Sequence, residues 1–159
     1  MCAKMVLQLL ARPILPNSRA FSRARAPTMS CVTFVNPLEV DGFAEPDGWG
    51  TTPAAEKPML YFLPGMDGSL STPFMQYCEL STTFELACMQ HTDGLDSRAT
   101  FDELSAACAD AIAASVADGR QVLLVGESFG ATLALAAAHE LQARESLAGV
   151  RGLVLVNPA

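Results

Sequence analysis

A serine flanked by two glycines lies between two strong secondary-structure signals. Residues 122–125 are apolar, Gly126, Ser128 and Gly130 then spell Gly-x-Ser-x-Gly, and an Ala/Leu-rich helical pattern covers 131–141. Strand, sharp turn and helix in this order form a nucleophile elbow, whose strained turn raises the serine hydroxyl above the sheet edge. Glycines two positions before and after the serine avoid collisions with the neighbouring strand and helix. The pattern predicts a catalytic nucleophile; the alternative is a tight turn whose serine caps the helix.

A second turn, rich in Gly and Pro, follows the apolar run 59–63. Attack of a serine hydroxyl on an ester produces an oxyanion, which needs two backbone N–H donors. One donor is the residue after the nucleophile, here Phe129, and the other comes from the loop after an earlier strand. We expect the second donor to be Met66, with Asp67 as second choice, and Gly65 and Asp67 to shape the turn. A plain turn pair also suits this composition.

The apolar segments alternate in type along the chain. Period-two or continuous apolar runs predict strands, and the 3.6-residue period predicts helices. Thr100 and Glu103 form a capping box, and Phe101 falls on the apolar side of the helix that it opens. We predict strands at 59–63, 84–89, 121–126 and 152–156, with helices from Ser71, over 100–117 and over 128–144. This order predicts an α/β fold with a mostly parallel sheet, helices on both faces and ligands at the carboxyl ends of the strands.

The charges divide the chain into two parts. The first 38 residues hold five basic and no acidic residues, whereas the remainder holds 17 acidic and five basic residues. The basic start, at 1–31, has transit-peptide composition, which predicts a plastid or, second, a mitochondrial location. Residues 32–57 read as a linker with room for a short strand, and 58–159 as the N-terminal part of the folded domain. The acidic body argues against nucleic-acid binding.

Three motifs of the folded part resemble those of one protein family. They are Leu-Pro-Gly-x-Asp-Gly at 63–68, the elbow at 125–130, and Leu-Val-Asn-Pro-Ala at 155–159. They resemble the α/β-hydrolase part of the plastid esterase/lipase/thioesterase family, which includes phytyl ester synthases with diacylglycerol-acyltransferase-like activity. The resemblance implies transfer of an acyl group from a lipid or acyl carrier to phytol, diacylglycerol or water.

The partners of a catalytic serine are harder to find. On α/β hydrolases the order is Ser, then Asp or Glu, then His. After Ser128 the sequence has His139 but no Asp, and His139 lies three helical turns along the same helix. His91 ends a predicted strand at the same rim, and its His-x-x-x-x-Asp spacing to Asp96 is expected by chance.

We therefore expect the acid and base beyond Ala159 and little turnover by residues 1–159 alone. We also expect a sheet that is truncated after the strand at 152–156, whose outer edge would then be unpaired. An inert lipid- or partner-binding protein is the alternative. No apolar run reaches the length of a membrane span, which leaves peripheral membrane contact open. The sequence indicates no cofactor and no metal site, since the five cysteines form no Cys-x-x-Cys pair.

Overall fold

The computed structural model describes residues 6–7, 31–40, 56–71, 73–92 and 98–159. Most of the predicted leader, the middle of the predicted linker and Asp96 lie outside these ranges. The described residues form one sheet with helices on both faces.

The sheet has six strands among the described residues. Four neighbouring strands are parallel, and a short antiparallel strand lies at each edge. The strands are β1 (Val6–Leu7), β2 (Val32–Val35), β3 (Met59–Leu63), β4 (Glu85–His91), β5 (Val122–Glu127) and β6 (Val150–Val156). Their spatial order is β1-β6-β5-β3-β4-β2. The mostly parallel sheet predicted from the sequence is confirmed.

Three helices connect the parallel strands: α1 (Phe74–Ser81), α2 (Phe101–Ala117) and α3 (Phe129–Ala143). The chain passes from β3 through α1 to β4 on one side, and α2 then carries it back to β5 on the other side of β3. The strand order therefore reverses between β3 and β5. In open α/β sheets, this reversal opens a crevice at the carboxyl ends of the two strands, where ligands bind.

The side chains of β5 alternate between two cores. Val122 and Leu124 join the core under α2 and α3, whereas Leu123 and Val125 pack against the core that contains Tyr77 of α1. Alternation of this kind follows from the two-residue period of a strand, and it buries both faces of the sheet. The apolar run at 122–125 is thus explained by the helices on both sides.

The capping box is present at the start of α2. Thr100 Oγ1 accepts a hydrogen bond from the Glu103 backbone N–H, and Glu103 Oε2 accepts one from the Thr100 backbone N–H. The predicted alternation of strands and helices is confirmed, with ends shifted by one to three residues.

The sheet edges differ from the sequence-based expectation. The last strand begins at Val150 rather than at Gly152, and its outer edge is not unpaired, since Val6 lies opposite Leu155 and Leu7 opposite Val154. The short strand expected near residue 32 lies antiparallel to β4. Apolar periodicity cannot reveal either pairing, because both edge strands are only a few residues long.

Candidate active site

The turn after β5 holds Ser128 in a strained backbone conformation. Its φ is 52° and its ψ is −119°, in a region that favours glycine and costs other residues about 1–3 kcal/mol. The Ser128 backbone N–H donates to the Val156 carbonyl at 2.9 Å, and the Ser128 carbonyl accepts from the Ala131 N–H at 2.9 Å. The side chain makes no capping hydrogen bond to α3. The alternative in which Ser128 is an ordinary helix cap is therefore wrong.

The two flanking glycines lie where a side chain has no room. A Cβ atom on Gly126 would lie 2.3 Å from the Gly130 carbonyl oxygen, and one on Gly130 would lie 2.0 Å from the Leu63 carbonyl oxygen. Both obstacles are backbone atoms, which cannot rotate away. The glycines thus allow the first turn of α3 to pack directly against the end of β3.

The loop after β3 is a tight turn that closes on itself. The Gly68 N–H donates to the Gly65 carbonyl at 3.0 Å, and Gly68 has a φ of 62°. The Asp67 carboxylate accepts from the Ser69 hydroxyl at 2.6 Å and from the Ser69 N–H at 3.3 Å, and these bonds lower the pKa of Asp67. The turn that composition alone suggested is therefore real.

The Met66 N–H is a candidate donor in this turn. The Asp67 N–H is drawn to its own carboxylate, whereas the Met66 N–H donates to no acceptor among the residues that the structure describes. The turn also lies beside the serine, because a Cβ atom on Gly65 would be 3.8 Å from Ser128 Cβ. Of the two donors expected from the sequence, the geometry favours Met66 over Asp67.

A second available donor lies at the first residue of α3. The Phe129 N–H has no acceptor in the described part of the chain. It also lies at the positive end of the helix dipole, which favours negative charge. Met66 and Phe129 therefore supply unpaired N–H groups from two segments that meet at Ser128. Such a pair is what an oxyanion requires.

Two carboxylates lie near this serine. Partial burial raises the pKa of Glu127, and the negative charge of Asp67 raises it further. Glu127 extends from the end of β5 and is half-buried. Negative charge near the elbow thus comes from one half-buried and one exposed carboxylate, and it disfavours anionic ligands other than one that both N–H groups hold.

Neither histidine reaches the serine. No hydrogen bond joins Ser128 Oγ to a histidine or carboxylate among the described residues. His139 is exposed on α3, as expected from its helical position. His91 lies instead beside the turn after β3, where its Cδ2 would be 3.2 Å from a Cβ atom on Gly68. The structure therefore brings together the predicted nucleophile and donors, but no base.

Sequence reasoning missed an apolar rim around the site. Met66 is 85% exposed and Phe101 is 38% exposed, although both side chains are large and apolar. The Phe101 ring packs edge-on against the Phe129 ring, with centroids 5.8 Å apart. Helical periodicity placed Phe101 on the buried side of α2. Its position directly after the capping residue was the signal for the rim, because helix starts lie at the carboxyl edge of a parallel sheet.

No three His, Cys, Asp or Glu side chains among the described residues converge to hold a metal ion. No helix among them combines the length and apolar character needed to cross a bilayer.

Two solved structures with a similar fold match most of this chain. YbtT, a type II thioesterase from the yersiniabactin NRPS/PKS biosynthetic pathway, matches with a TM-score of 0.52 and 23% identity over 69% of this chain and 42% of its own. A serine-to-alanine variant of the same thioesterase matches with a TM-score of 0.50 and 22% identity over 62% of this chain and 41% of its own. The chain has an α/β-hydrolase fold.

Another solved structure is more distant. The Bacillus licheniformis lipase BlEst2, in mature form, has a TM-score of 0.45 and 21% identity over 65% of this chain and 42% of its own. The chain spans about two fifths of the length of all three matched structures. No protein-family model matches the sequence, and no curated protein matches it.

Proposed function

We propose that the protein takes part in serine-dependent acyl transfer or ester hydrolysis on lipid substrates. One observation carries the proposal: Ser128, on a strained turn at the topological switch point, lies beside two segments that each offer an unpaired N–H. An acyl-transfer site depends on two such donors beside its nucleophile.

The proposed chemistry proceeds in two halves. Ser128 Oγ attacks the acyl carbonyl carbon and gives its proton to a base, while the Met66 and Phe129 N–H groups hold the oxyanion. The leaving alcohol or thiol departs with a proton, and the acyl group stays on Ser128 as an ester. An acceptor hydroxyl then attacks that ester, takes the acyl group and restores the serine. Water as acceptor gives hydrolysis.

The base and its acid partner are proposed to come from outside the described residues. Support comes from the absence of a histidine or carboxylate hydrogen bond to Ser128 Oγ within the described part. A serine without an adjacent base keeps an ordinary weak hydroxyl, so turnover by residues 1–159 alone should be slow. Phytol and diacylglycerol as acceptors, and a plastid location, rest on the family resemblance and the basic leader.

The first experiment is to trap the acyl-enzyme. The protein is incubated with an activated acyl ester and examined by mass spectrometry after proteolysis, with Ser128→Ala as the control. We expect the acyl group on the peptide that contains Ser128 in the unmodified protein and none there in the variant. Transfer from the trapped adduct to phytol, diacylglycerol or water, compared in parallel, then identifies the acceptor. Acylation of other residues alone would overturn the proposal.

A second candidate is an inert protein that binds lipid or a partner. The missing hydrogen bond to Ser128 Oγ favours it, because an unactivated serine is also what an inert member would show. Lipid binding that is unchanged in Ser128→Ala, together with no acyl adduct in the unmodified protein, would support this candidate.

A further inference from the structure

Two aromatic side chains lie at the same edge of the sheet as the proposed nucleophile. Phe129 follows Ser128 directly, and Phe101 is the first residue of α2. Their rings meet edge to face, with centroids 5.8 Å apart and an angle of 78° between planes. The two helix starts are thus joined by an aromatic contact next to the serine.

The outer ring of this pair has a fixed position but is left exposed. Phe101 follows Thr100, whose two reciprocal hydrogen bonds with Glu103 fix the first turn of α2. Phe129 packs against the buried core beneath α2 and α3. Phe101, in contrast, is 38% exposed. A rigidly held apolar surface that stays open to solvent indicates a contact with an apolar ligand.

The charges nearby narrow the chemistry of that ligand. Asp67 and Glu127 place two carboxylates near the serine, where burial and the charge of Asp67 raise the pKa of Glu127, and burial and the charge of Glu127 contribute to the raised pKa of Tyr77. A free fatty acid or a phosphate would meet repulsion there. A neutral hydrocarbon chain would not, and it is what an uncharged acyl ester or thioester carries next to its reacting carbonyl.

We propose that Phe101 and Phe129 form the wall along which the acyl chain of the substrate lies, and that Phe101 sets the preference for chain length. The inference rests on the proposed acyl transfer, since it names the part of the substrate that each segment contacts. The backbone N–H of Phe129 faces the carbonyl oxygen, and its ring, together with Phe101, faces the chain.

The test measures binding of neutral methyl ketones that carry ethyl, butyl, octyl or decyl chains, by amide chemical shifts in NMR titrations. A ketone imitates the acyl carbonyl but cannot acylate, so binding is separated from reaction. We expect affinity to rise with chain length, by up to about fourfold for each methylene that becomes buried. Phe101→Ser should weaken decyl binding about three- to tenfold and leave ethyl binding nearly unchanged.

Leu135→Ser is the matched control, because Leu135 is 46% exposed on α3 but lies well along the helix from Ser128. It should bind every ketone as the unmodified protein does. Phe101→Leu keeps an apolar side chain at this position. It should therefore restore most of the decyl affinity that Phe101→Ser loses. Phe101→Ser with unchanged chain-length dependence would overturn the inference, as would chain-length-independent binding in the unmodified protein.

The outcome is distinguishable from that of the proposed function. Ser128→Ala should bind the ketones almost as well as the unmodified protein, because the wall does not include the hydroxyl. Loss of decyl affinity in Phe101→Ser without any acyl adduct on Ser128 would contradict the proposed acyl transfer and support the proposed acyl wall. An acyl adduct on Ser128, together with equal decyl affinity in the unmodified protein and in Phe101→Ser, would support the acyl transfer and contradict the acyl wall.

Discussion

The polar groups at the two ends of the parallel strands differ in their hydrogen bonding. At the amino ends, Arg120 donates to the Glu85 carboxylate and to the Lys57 carbonyl, both at 2.6 Å, and Lys57 Nζ donates to the Ser81 carbonyl at 2.6 Å. At the carboxyl ends, the N–H groups of Met66 and Phe129 have no acceptor among the described residues. The polar groups at the amino ends are thus paired with one another, whereas two N–H donors at the carboxyl ends have no acceptor among the described residues.

The amino ends of the strands also hold a cavity, but its charged side chains are already paired. A cavity of about 290 Å³ lies at the amino ends, lined by Lys57 and Arg120 among others. The hydrogen bonds of these two side chains go to Glu85 and to carbonyl groups that already belong to the fold. Positive φ angles at non-glycine residues occur at both ends, at Glu145 before β6 and at Ser128 and Asn157 at the carboxyl ends. The unpaired N–H donors therefore distinguish the carboxyl ends from the amino ends among the described residues.

The largest effect is expected where helix and strand are in closest contact. Gly130→Ala places a methyl group 2.0 Å from the Leu63 carbonyl oxygen, so we expect a loss of about 3 kcal/mol or more in the free energy of unfolding. Gly65→Ala is the control, since its nearest neighbour would be 3.5 Å away, and it should change stability by less than about 1 kcal/mol. Urea unfolding followed by circular dichroism measures both. Equal midpoints would contradict the packing described here.

The closed end gives the next largest effect. Arg120→Ala removes two hydrogen bonds from a partly buried ion pair, so we expect a loss of about 1–2 kcal/mol in stability. Arg144→Ala, whose partners Asp110 and Glu140 lie on a more exposed surface, should cost about 0.5 kcal/mol. Thermal unfolding measures both variants. A greater loss from Arg144→Ala would show that the lower exposure of the Arg120–Glu85 pair does not set its contribution to stability.

Strain at the elbow predicts that glycine at position 128 gives a more stable protein than alanine does. Ser128→Gly accepts a φ of 52°, whereas Ser128→Ala does not, so the glycine variant should be about 0.5–1 kcal/mol more stable than the alanine variant. Both should lose acylation. Denaturant unfolding of the two variants provides the measurement. A glycine variant less stable than the alanine variant would show that the turn is relaxed.

The smallest effect concerns pH. The pKa of Glu127 lies above its ordinary value of 4.5, so stability present below that value is lost as the pH rises through the pKa of the folded state. Glu127→Gln should therefore be more stable than the unmodified protein at pH 7, by about a few tenths of a kcal/mol, and equal to it near pH 4. Melting temperatures across this range test the sign.

Local sequence predicted the elements because each carries its own signal. The capping box at Thr100, the apolar run at 122–125 and the Gly-x-Ser-x-Gly spacing were enough for α2, β5 and the start of α3. The position of Ser128 beside the turn after β3 followed from parallel topology, since carboxyl ends of neighbouring strands meet at one edge.

Features that depend on long-range pairing could not be read in the same way. The contact of Val6 and Leu7 with β6 joins residues at opposite ends of the described chain. The choice of Met66 over Asp67 depended on which N–H turns back to a carboxylate, and the exposure of Phe101 depended on how the first residue of α2 lies against the first residue of α3. None of these has a period or a spacing, so three-dimensional packing alone decides them.

The central claim is that Ser128 lies in a preformed acyl-transfer site and lacks only a base. The most direct test is modification by a fluorophosphonate, with free imidazole added in increasing concentration as a substitute base, and mass spectrometry to identify the modified serine. We predict modification of Ser128 that accelerates with imidazole and exceeds that of Ser69 and Ser71 on the neighbouring loop. Modification of Ser128 no faster than of these two serines, at every imidazole concentration, would contradict the claim.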